Sequence, residues 1–157
     1  MVSDLDVSAV REPDMNESIY RDIFHELYRY PYLTDENRNE RDAARAINGM
    51  FNSQSSVALE YPGGYVVLRD ISQGKAAELV WIHRNTVPLG RKYVRLLTAI
   101  LDEAINNLGL KFVWLKTPDI SVARFSRQFG FRVDEIIPGG FSWHGDKQDL
   151  YLLKKEN

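Results

Sequence analysis

The sequence has no cysteine among its 157 residues. That absence excludes disulfide bonds, a thiol nucleophile and a metal site built on thiolates. The three histidines are scattered along the chain, so we expect no metal centre. No run of about 18 consecutive apolar residues occurs, and we therefore expect no membrane-spanning helix. Residues 1–6 contain acids where a secretion signal would have basic and then apolar residues, which favours a cytoplasmic protein.

The composition indicates one globular domain spanning residues 1–157. Hydrophobic residues make up 44% of the chain, which suffices for one well-buried core, while the length is too short for two ordinary domains. The net charge of −2 argues against a protein dedicated to binding nucleic acid. Trp81 and Trp114 lie in apolar stretches and are interpreted as core residues rather than as platforms for stacking bases.

Patterns typical of helices and strands alternate along the chain and predict a mixed α/β sheet. A short strand is expected at residues 5–11, a helix begins near Asp14, and a second helix runs from about 35 to 51. The Pro-Gly-Gly sequence at residues 62–64 separates two alternating runs and predicts a hairpin. The predicted strands are residues 57–61, 65–71, 76–83, 112–115, 131–137 and 149–153.

Two further helices are predicted in the second half of the chain. Apolar residues recur at three- and four-residue steps after residue 90, which predicts a helix with one buried stripe that ends at Gly109. A shorter helix covers residues 121–129 and ends at Gly130. Residues 138–147 are rich in glycine and aromatic residues and are expected to connect the last two strands. The residues expected to be buried are Leu97, Leu101, Val113 and Phe129.

Three stretches of the chain resemble the GNAT superfamily of acyl-CoA-dependent N-acyltransferases. Residues 77–83 are similar to the family's fourth strand, residues 111–117 to its fifth strand, and residues 119–131 to the helix that follows. Phe-Gly-Phe at residues 129–131 stands where the family often has Leu-Gly-Phe. The resemblance covers about residues 56–157. It implies a mixed, mostly antiparallel sheet with a splayed parallel pair and helices on both faces.

The resemblance also implies acetyl-CoA as the co-substrate. Two parallel strands that separate leave unpaired backbone N–H and C=O groups, to which the amides of a pantetheine arm can bond like an extra strand. That gap is expected between residues 80–83 and residues 113–116. The helix beginning near Arg91 would point its N-terminus at the pyrophosphate. The residues that the resemblance assigns to cofactor binding are Trp81, Ile82, His83, Gly90, Arg91, Lys92, Tyr93, Asp119 and Arg124.

The start of that helix is basic and poor in glycine. Residues 84–101 contain four basic residues and no acid, in a chain that is slightly acidic overall. The family's loop carries further glycines so that the backbone can approach a phosphate, whereas residues 88–94 contain Gly90 alone. The basic residues fit either a pyrophosphate site or a solvated helix face. The same segment is similar to GNAT-like internal virion proteins of tailed bacteriophages.

Acyl transfer from a thioester to an amine needs a base for the amine and an acid for the leaving thiolate. Glu78 resembles the glutamate of strand four that serves as the base in several family members, but it can equally be an exposed carboxylate on an alternating strand. Ser126 stands where the family often has a tyrosine acid, and its hydroxyl can order a water. His83 and His144 are substitutes because imidazole exchanges protons near neutral pH, although a structural role fits each as well.

Two classes of function are therefore carried forward. The first is an enzyme that transfers an acyl group from acetyl-CoA to an amine on a small molecule or a protein, with Glu78, His144 and Ser126 as catalytic candidates. The second is a catalytically silent protein of the same fold with a structural or assembly role, such as a virion-associated protein. A homodimer is compatible with both classes.

Overall fold

The computed structural model describes residues 51–83, 90–143 and 145–157, together with Glu12, Arg21, Arg45, Asn48 and Gly49. The six strands of this part are β1 (Val57–Tyr61), β2 (Gly64–Ser72), β3 (Ala76–His83), β4 (Phe112–Thr117), β5 (Arg132–Trp143) and β6 (Asp146–Glu156). Two helices lie between the strands, α1 (Arg91–Leu108) and α2 (Ile120–Ser126), and α2 continues into a 3-10 turn (Arg127–Phe129). Residues 51–52, before β1, are also helical.

The strands form one mixed sheet in the spatial order β1-β2-β3-β4-β6-β5. The pairs β1/β2, β2/β3, β4/β6 and β5/β6 are antiparallel, and β3 runs parallel to β4. Helix α1 supplies the crossover that a parallel connection requires. The predicted fold class, a mostly antiparallel sheet with one parallel pair, is confirmed.

Helix α1 covers one face of the sheet with its apolar stripe. Its buried residues pack with Leu68 of β2, Leu79 of β3 and the 3-10 turn in one hydrophobic cluster. Leu97 and Leu101 are each 2% exposed, Val113 is 0% and Phe129 is 4%, so all four predicted core residues are confirmed. Gly109 ends the helix in the left-handed conformation at φ 62°, as its position in the sequence predicted.

The opposite face of the sheet is also covered. Tyr65, Val67, Val80 and Ile82 alternate with residues of the α1 face and are buried. The ring of Phe51, which is helical, meets Tyr65 edge to face with the ring centroids 5.7 Å apart. Helical residues therefore contribute to both faces.

The connection between the last two strands was predicted wrongly. Most of residues 138–147 belong to β5 and β6, which form a long hairpin instead of two short strands joined by a loop. The register shifts between Ile137 and Phe141, and Gly139 lies there at φ 62°. The irregularity accommodates Pro138, which has no N–H for the ladder. It also breaks the alternation by which a strand is recognised in a sequence.

The predicted strand at residues 5–11 and the helix beginning near Asp14 lie outside the described residues. In the second predicted helix, Arg45, Asn48, Gly49 and Phe51 are helical. Among the described helices, none is long and apolar enough to span a bilayer. The assignment of residues 1–157 to a single domain stays a prediction.

Replacing Leu101 with alanine should lower the free energy of unfolding by about 2–5 kcal/mol, because the cavity opens inside the cluster between α1 and the sheet. Asn106→Ala on the exposed side of the same helix is the matched control and should change stability by less than about 0.5 kcal/mol. Urea denaturation of both variants measures the difference. Equal stability of the two variants would show that the stripe of α1 is not what holds the helix to the sheet.

Candidate functional site

The parallel strands β3 and β4 separate halfway along their length. Their register contains three pairs, the last of which joins Glu78 to Trp114. Beyond it, β3 continues to His83 and remains paired with β2, while β4 continues to Thr117 and remains paired with β6. Each strand is therefore held by its outer neighbour, and the two cannot close on each other.

The gap includes the predicted segment of β3 but begins two residues later on β4 than predicted. We expected it to lie between residues 80–83 and 113–116, but Val113 pairs with Ala77 and Trp114 with Glu78. The facing segments are residues 79–83 and 115–117. The prediction misplaced the start on β4 because the end of hydrogen bonding between two strands leaves no mark in either sequence.

A pocket of about 60 Å³ opens between the separated strands. Its walls come from β3, β4, α2 and the turn that follows α2, and they are mainly apolar. The lining residues are Leu79, Trp81, Leu115, Lys116, Thr117, Val122, Ser126, Phe129 and Phe131. Such a volume holds several waters, and an extended chain between the strands would meet backbone polar groups on both sides.

Helix α2 is held beside this pocket by its ends. The backbone N–H of Asp119 donates to Thr117 Oγ1 at 3.1 Å, and Asp119 Oδ1 accepts the N–H of Ser121 at 2.8 Å. Gly130 ends the following turn at φ 92°. Asp119, predicted to bind the cofactor, thus has an N-cap function in the fold. Arg124, the other predicted cofactor residue of this segment, is exposed on α2.

Ser126 lies at the pocket but its hydroxyl is engaged. The residue is 3% exposed, and its Oγ donates to the carbonyl oxygen of Val122 at 2.8 Å. The remaining lone-pair capacity of this oxygen can accept a hydrogen bond from a water or a substrate. The structure does not place His144, the second histidine candidate, among its described residues.

The start of α1 presents positive charge at the same end of the sheet. Gly90 is the N-cap in an extended conformation with no side-chain cap, and the first turn contains no acid. Arg91 and Lys92 are exposed, and Tyr93 is half-buried. The first N–H groups of a helix have no intrahelical partner, so this end favours an anion. A Cβ at Gly90 would meet nothing within 4 Å, so packing alone does not require glycine there.

Glu78 is not the exposed carboxylate that one interpretation of the sequence allowed. It is 4% exposed, and its Oε1 lies 2.7 Å from Nη2 of Arg69 on the neighbouring strand. Glu78 and Arg69 are also direct partners in the register of β2 and β3. Alternation places Glu78 on the face opposite Trp81 and the pocket. The carboxylate can anchor Arg69, and its function as a base stays a prediction.

His83 lies in an aromatic cluster that sequence reasoning did not find. Its Nδ1 is 2.6 Å from the hydroxyl of Tyr61, and Nε1 of Trp81 donates to the same hydroxyl oxygen at 2.8 Å. Tyr93 of α1 packs edge to face on the His83 ring, with centroids 5.2 Å apart. The contact with Tyr61 could have been predicted from the registers of the β1/β2 and β2/β3 hairpins. In these registers Gly64 of β2 pairs with Tyr61 of β1 and with His83 of β3.

Lys155, a buried lysine that is not among the predicted site residues, contacts two elements that border the site. Lys155 of β6 is 9% exposed, donates from Nζ to the carbonyl oxygen of Phe129, and lies 3.3 Å from Asp102 of α1. It therefore links β6, the turn after α2 and α1. No sequence signal distinguishes this lysine from the solvated ones around it.

Proteins of known structure share this fold, although no relative is recognised from the sequence. No protein-family model matches the chain, and no curated protein matches it. Among solved structures, the spermidine N-acetyltransferase of Vibrio cholerae in complex with CoA and spermine superposes with a TM-score of 0.73 at 15% identity, over 95% of this chain and 96% of that chain. An aminoglycoside 6'-acetyltransferase type Ii gives a TM-score of 0.64 at 16% identity, over 94% of this chain and 96% of that one.

The chain has the GNAT fold. Identities of 15% and 16% establish the fold and leave the activity to be argued from the site. In the GNAT fold of this chain, the separated pair is β3 and β4, and the basic helix start is that of α1.

The Arg69–Glu78 pair should show energetic coupling across β2 and β3. Arg69→Met leaves a buried carboxylate without its partner, and Glu78→Gln in the same chain removes that charge. The double variant should therefore be more stable than the sum of the single changes predicts, by about 0.5–3 kcal/mol. Combining Arg69→Met with Glu103→Gln on α1 is the control and should be additive. Denaturant unfolding measures both cycles. If the free energies of unfolding are additive in both, Arg69 and Glu78 do not form a stabilising ion pair in solution.

Proposed function

We propose that the protein transfers an acetyl or another short acyl group from acyl-CoA to an amine. The observation that carries this proposal is the gap between β3 and β4. There the two strands stop pairing with each other, while each remains paired with its outer neighbour. Backbone groups at such a gap need polar partners. The amides and carbonyls of a pantetheine arm are suitable partners in an extended conformation.

The rest of the cofactor fits the neighbouring elements. The backbone of residues 81–83 would bind the arm and polarise the thioester carbonyl. Arg91 and Lys92 would meet the pyrophosphate at the start of α1, where the helix dipole adds to their charge. Tyr93, the next residue, is half-buried and packs against the ring of His83 at the end of β3. Asp119 would contribute by capping the N-terminus of α2, and Arg124 on the same helix would contribute an exposed positive charge.

A small amine is the acceptor that the structural comparisons favour. The two similar structures are acetyltransferases of spermidine and of aminoglycosides, and the first was solved with CoA and spermine. We extend the class of small amines to this chain as part of the proposal. Within the same proposal, Glu78, His144 and Ser126 are the catalytic candidates from the sequence, the protein acts in the cytoplasm, and a homodimer is allowed.

One observation favours a second candidate function. The start of α1 carries the exposed side chains of Arg91 and Lys92 where further glycines would let the backbone approach a phosphate closely. A catalytically silent protein of this fold, with an assembly role such as that of a virion-associated protein, would tolerate this change. Loss of CoA binding is the property that distinguishes it from the enzyme.

CoA should raise the melting temperature of the protein, and the shift should shrink as salt is added, because phosphates and exposed cations are screened. Arg91→Glu should weaken binding further by placing an acid at the positive end of the helix beside the pyrophosphate. Lys111→Glu makes the same charge change on an exposed lysine beyond the far end of α1 and is the matched control. Calorimetric titration with CoA and thermal unfolding measure both effects.

Two outcomes would contradict the proposal. If millimolar CoA in low salt gives no heat of binding and no change in melting temperature, the enzyme hypothesis is excluded and the assembly role is favoured. Equal weakening by Arg91→Glu and Lys111→Glu would mean that binding responds to net charge and that the start of α1 is not the phosphate site.

A further inference from the structure

We propose that the pocket between β3 and β4 receives the alkyl tail of an acyl group longer than acetyl, of propionyl or butyryl size, and that Ser126 limits the length it accepts. The inference rests on the proposed acyl transfer and deepens it by naming the class of acyl group. The expected donor is an acyl-CoA with an uncharged, linear chain, and a charged acyl group such as succinyl is disfavoured.

The pocket lies at the closed end of the gap. The pairing of β3 with β4 ends at Glu78 and Trp114, and the pocket walls include Leu79 and Leu115, the next residue of each strand. Before these residues the two strands are paired with each other and leave no space between them. The pocket is therefore the deepest place that a chain entering between the strands can reach.

The proposed phosphate site lies at the other end of the gap. Tyr93 in the first turn of α1 packs on the ring of His83, the last residue of β3. A strand rises about 3.3 Å per residue, so His83 and Leu79 are roughly 13 Å apart along β3. An extended pantetheine arm spans such a distance. With the pyrophosphate at the start of α1, the far end of the arm, which carries the thioester and the acyl group, would reach the pocket.

The walls of the pocket favour an apolar occupant. Among the described residues that line it, Lys116 alone is charged, and alternation along β4 places its side chain on the face opposite Leu115. The lining hydroxyls are engaged, since Thr117 Oγ1 accepts a backbone N–H at 3.1 Å and Ser126 Oγ donates to a backbone carbonyl at 2.8 Å. A carboxylate in this pocket would lose its hydration without gaining a charged partner.

The size of the pocket fits a few carbon atoms. Its volume of about 60 Å³ holds several waters, and a methylene group needs about as much space as a water. A second, apolar void of about 10 Å³ lies next to it, and Leu79, Trp81 and Phe129 line both spaces. These side chains lack neighbours on the side of the void and can shift toward it when a chain enters. The methyl group of acetyl alone would leave most of the pocket unfilled.

Ser126 is a small residue in a wall of larger ones. It is 3% exposed and lines the pocket from α2, where the neighbouring wall residues are Val122, Phe129 and Phe131. Because its hydroxyl is bonded within the helix, Ser126 provides space in the pocket more than polarity. A larger side chain at this position would place its additional atoms in the pocket and shorten the chain that fits.

The first test measures binding and needs no acceptor amine. Calorimetric titrations of the intact protein with CoA and with acetyl-, propionyl- and butyryl-CoA give the dissociation constants. Each methylene that enters the pocket should lower Kd by about 4-fold, which corresponds to about 0.8 kcal/mol per buried methylene. Succinyl-CoA should bind about 10-fold more weakly than butyryl-CoA. Equal Kd values for the acetyl, propionyl and butyryl thioesters overturn the inference.

The second test locates the alkyl tail. The ratio of Kd for acetyl-CoA to Kd for butyryl-CoA should be about 16 in the wild type and should fall to about 1 in Ser126→Leu, because leucine fills the pocket. Ser121→Leu makes the same substitution on the exposed side of α2 and is the matched control, which should keep the wild-type ratio. The ratio is the readout because a change in how the arm binds affects both ligands. Equal ratios in the two variants would mean that the tail binds elsewhere.

A second variant narrows the pocket from the preceding turn of α2. Val122→Phe adds a ring to a half-buried wall residue and should lower the same ratio, so the inference stays testable if Ser126→Leu does not fold. Thermal unfolding without ligand shows which variants are folded. Once an amine acceptor is found, the ratio of kcat/KM for butyryl-CoA to that for acetyl-CoA should fall in the same variants. A folded Val122→Phe protein with the wild-type ratio contradicts the inference.

The two proposals fail in different ways. If neither CoA nor any acyl-CoA binds, acyl transfer itself is wrong, and the assignment of the pocket falls with it. If CoA binds and the length of the acyl chain has no effect on Kd, acyl transfer stands and only the assignment of the pocket is wrong.

Discussion

The inability of β3 and β4 to close on each other is the constraint on which the rest of the site depends. Both strands stay paired on their outer sides, to β2 and β6, beyond Glu78 and Trp114, where their own pairing ends. Closing the gap would break one of those outer ladders, at a cost of several hydrogen bonds. The unpaired edges therefore persist as a preformed cleft, which is the condition for binding an extended ligand without first reorganising the sheet.

The two helices keep the cleft open and define its ends. Five buried apolar residues of α1 face the sheet, each contributing roughly 1.5–3 kcal/mol by its burial. Lys155 adds a polar link from β6 to the turn after α2 and to α1. The start of α1 is also attached to the end of β3, because Tyr93 packs on the ring of His83 and Nδ1 of that ring lies within hydrogen-bond distance of the Tyr61 hydroxyl. A shift of that helix would move the imidazole with it.

Local patterns predicted much of the fold. The hairpin around residues 62–64, the strand at 76–83 and the helix ending at Gly109 were recognised because alternation, turn glycines and helical spacing are written in neighbouring residues. The β5/β6 hairpin was missed because Pro138 and two shifts of register interrupt its alternation. Part of the site was predicted as well, since residues 81–83 do border the gap, but the start of the gap on β4 was placed two residues too early.

The sequence by itself determined the secondary structure of residues 57–83 and 90–131, the buried stripe of α1 and the basic start of that helix, because each depends on residues close together in the chain. Only the tertiary structure decided that Glu78 would pair with Arg69, that Ser126 would bond to Val122, and that His83 would meet Tyr61. A carboxylate, a hydroxyl and an imidazole acquire their chemistry from their partners. In this chain, strand register across the sheet sets the partners of Glu78 and His83, and one turn of α2 sets the partner of Ser126.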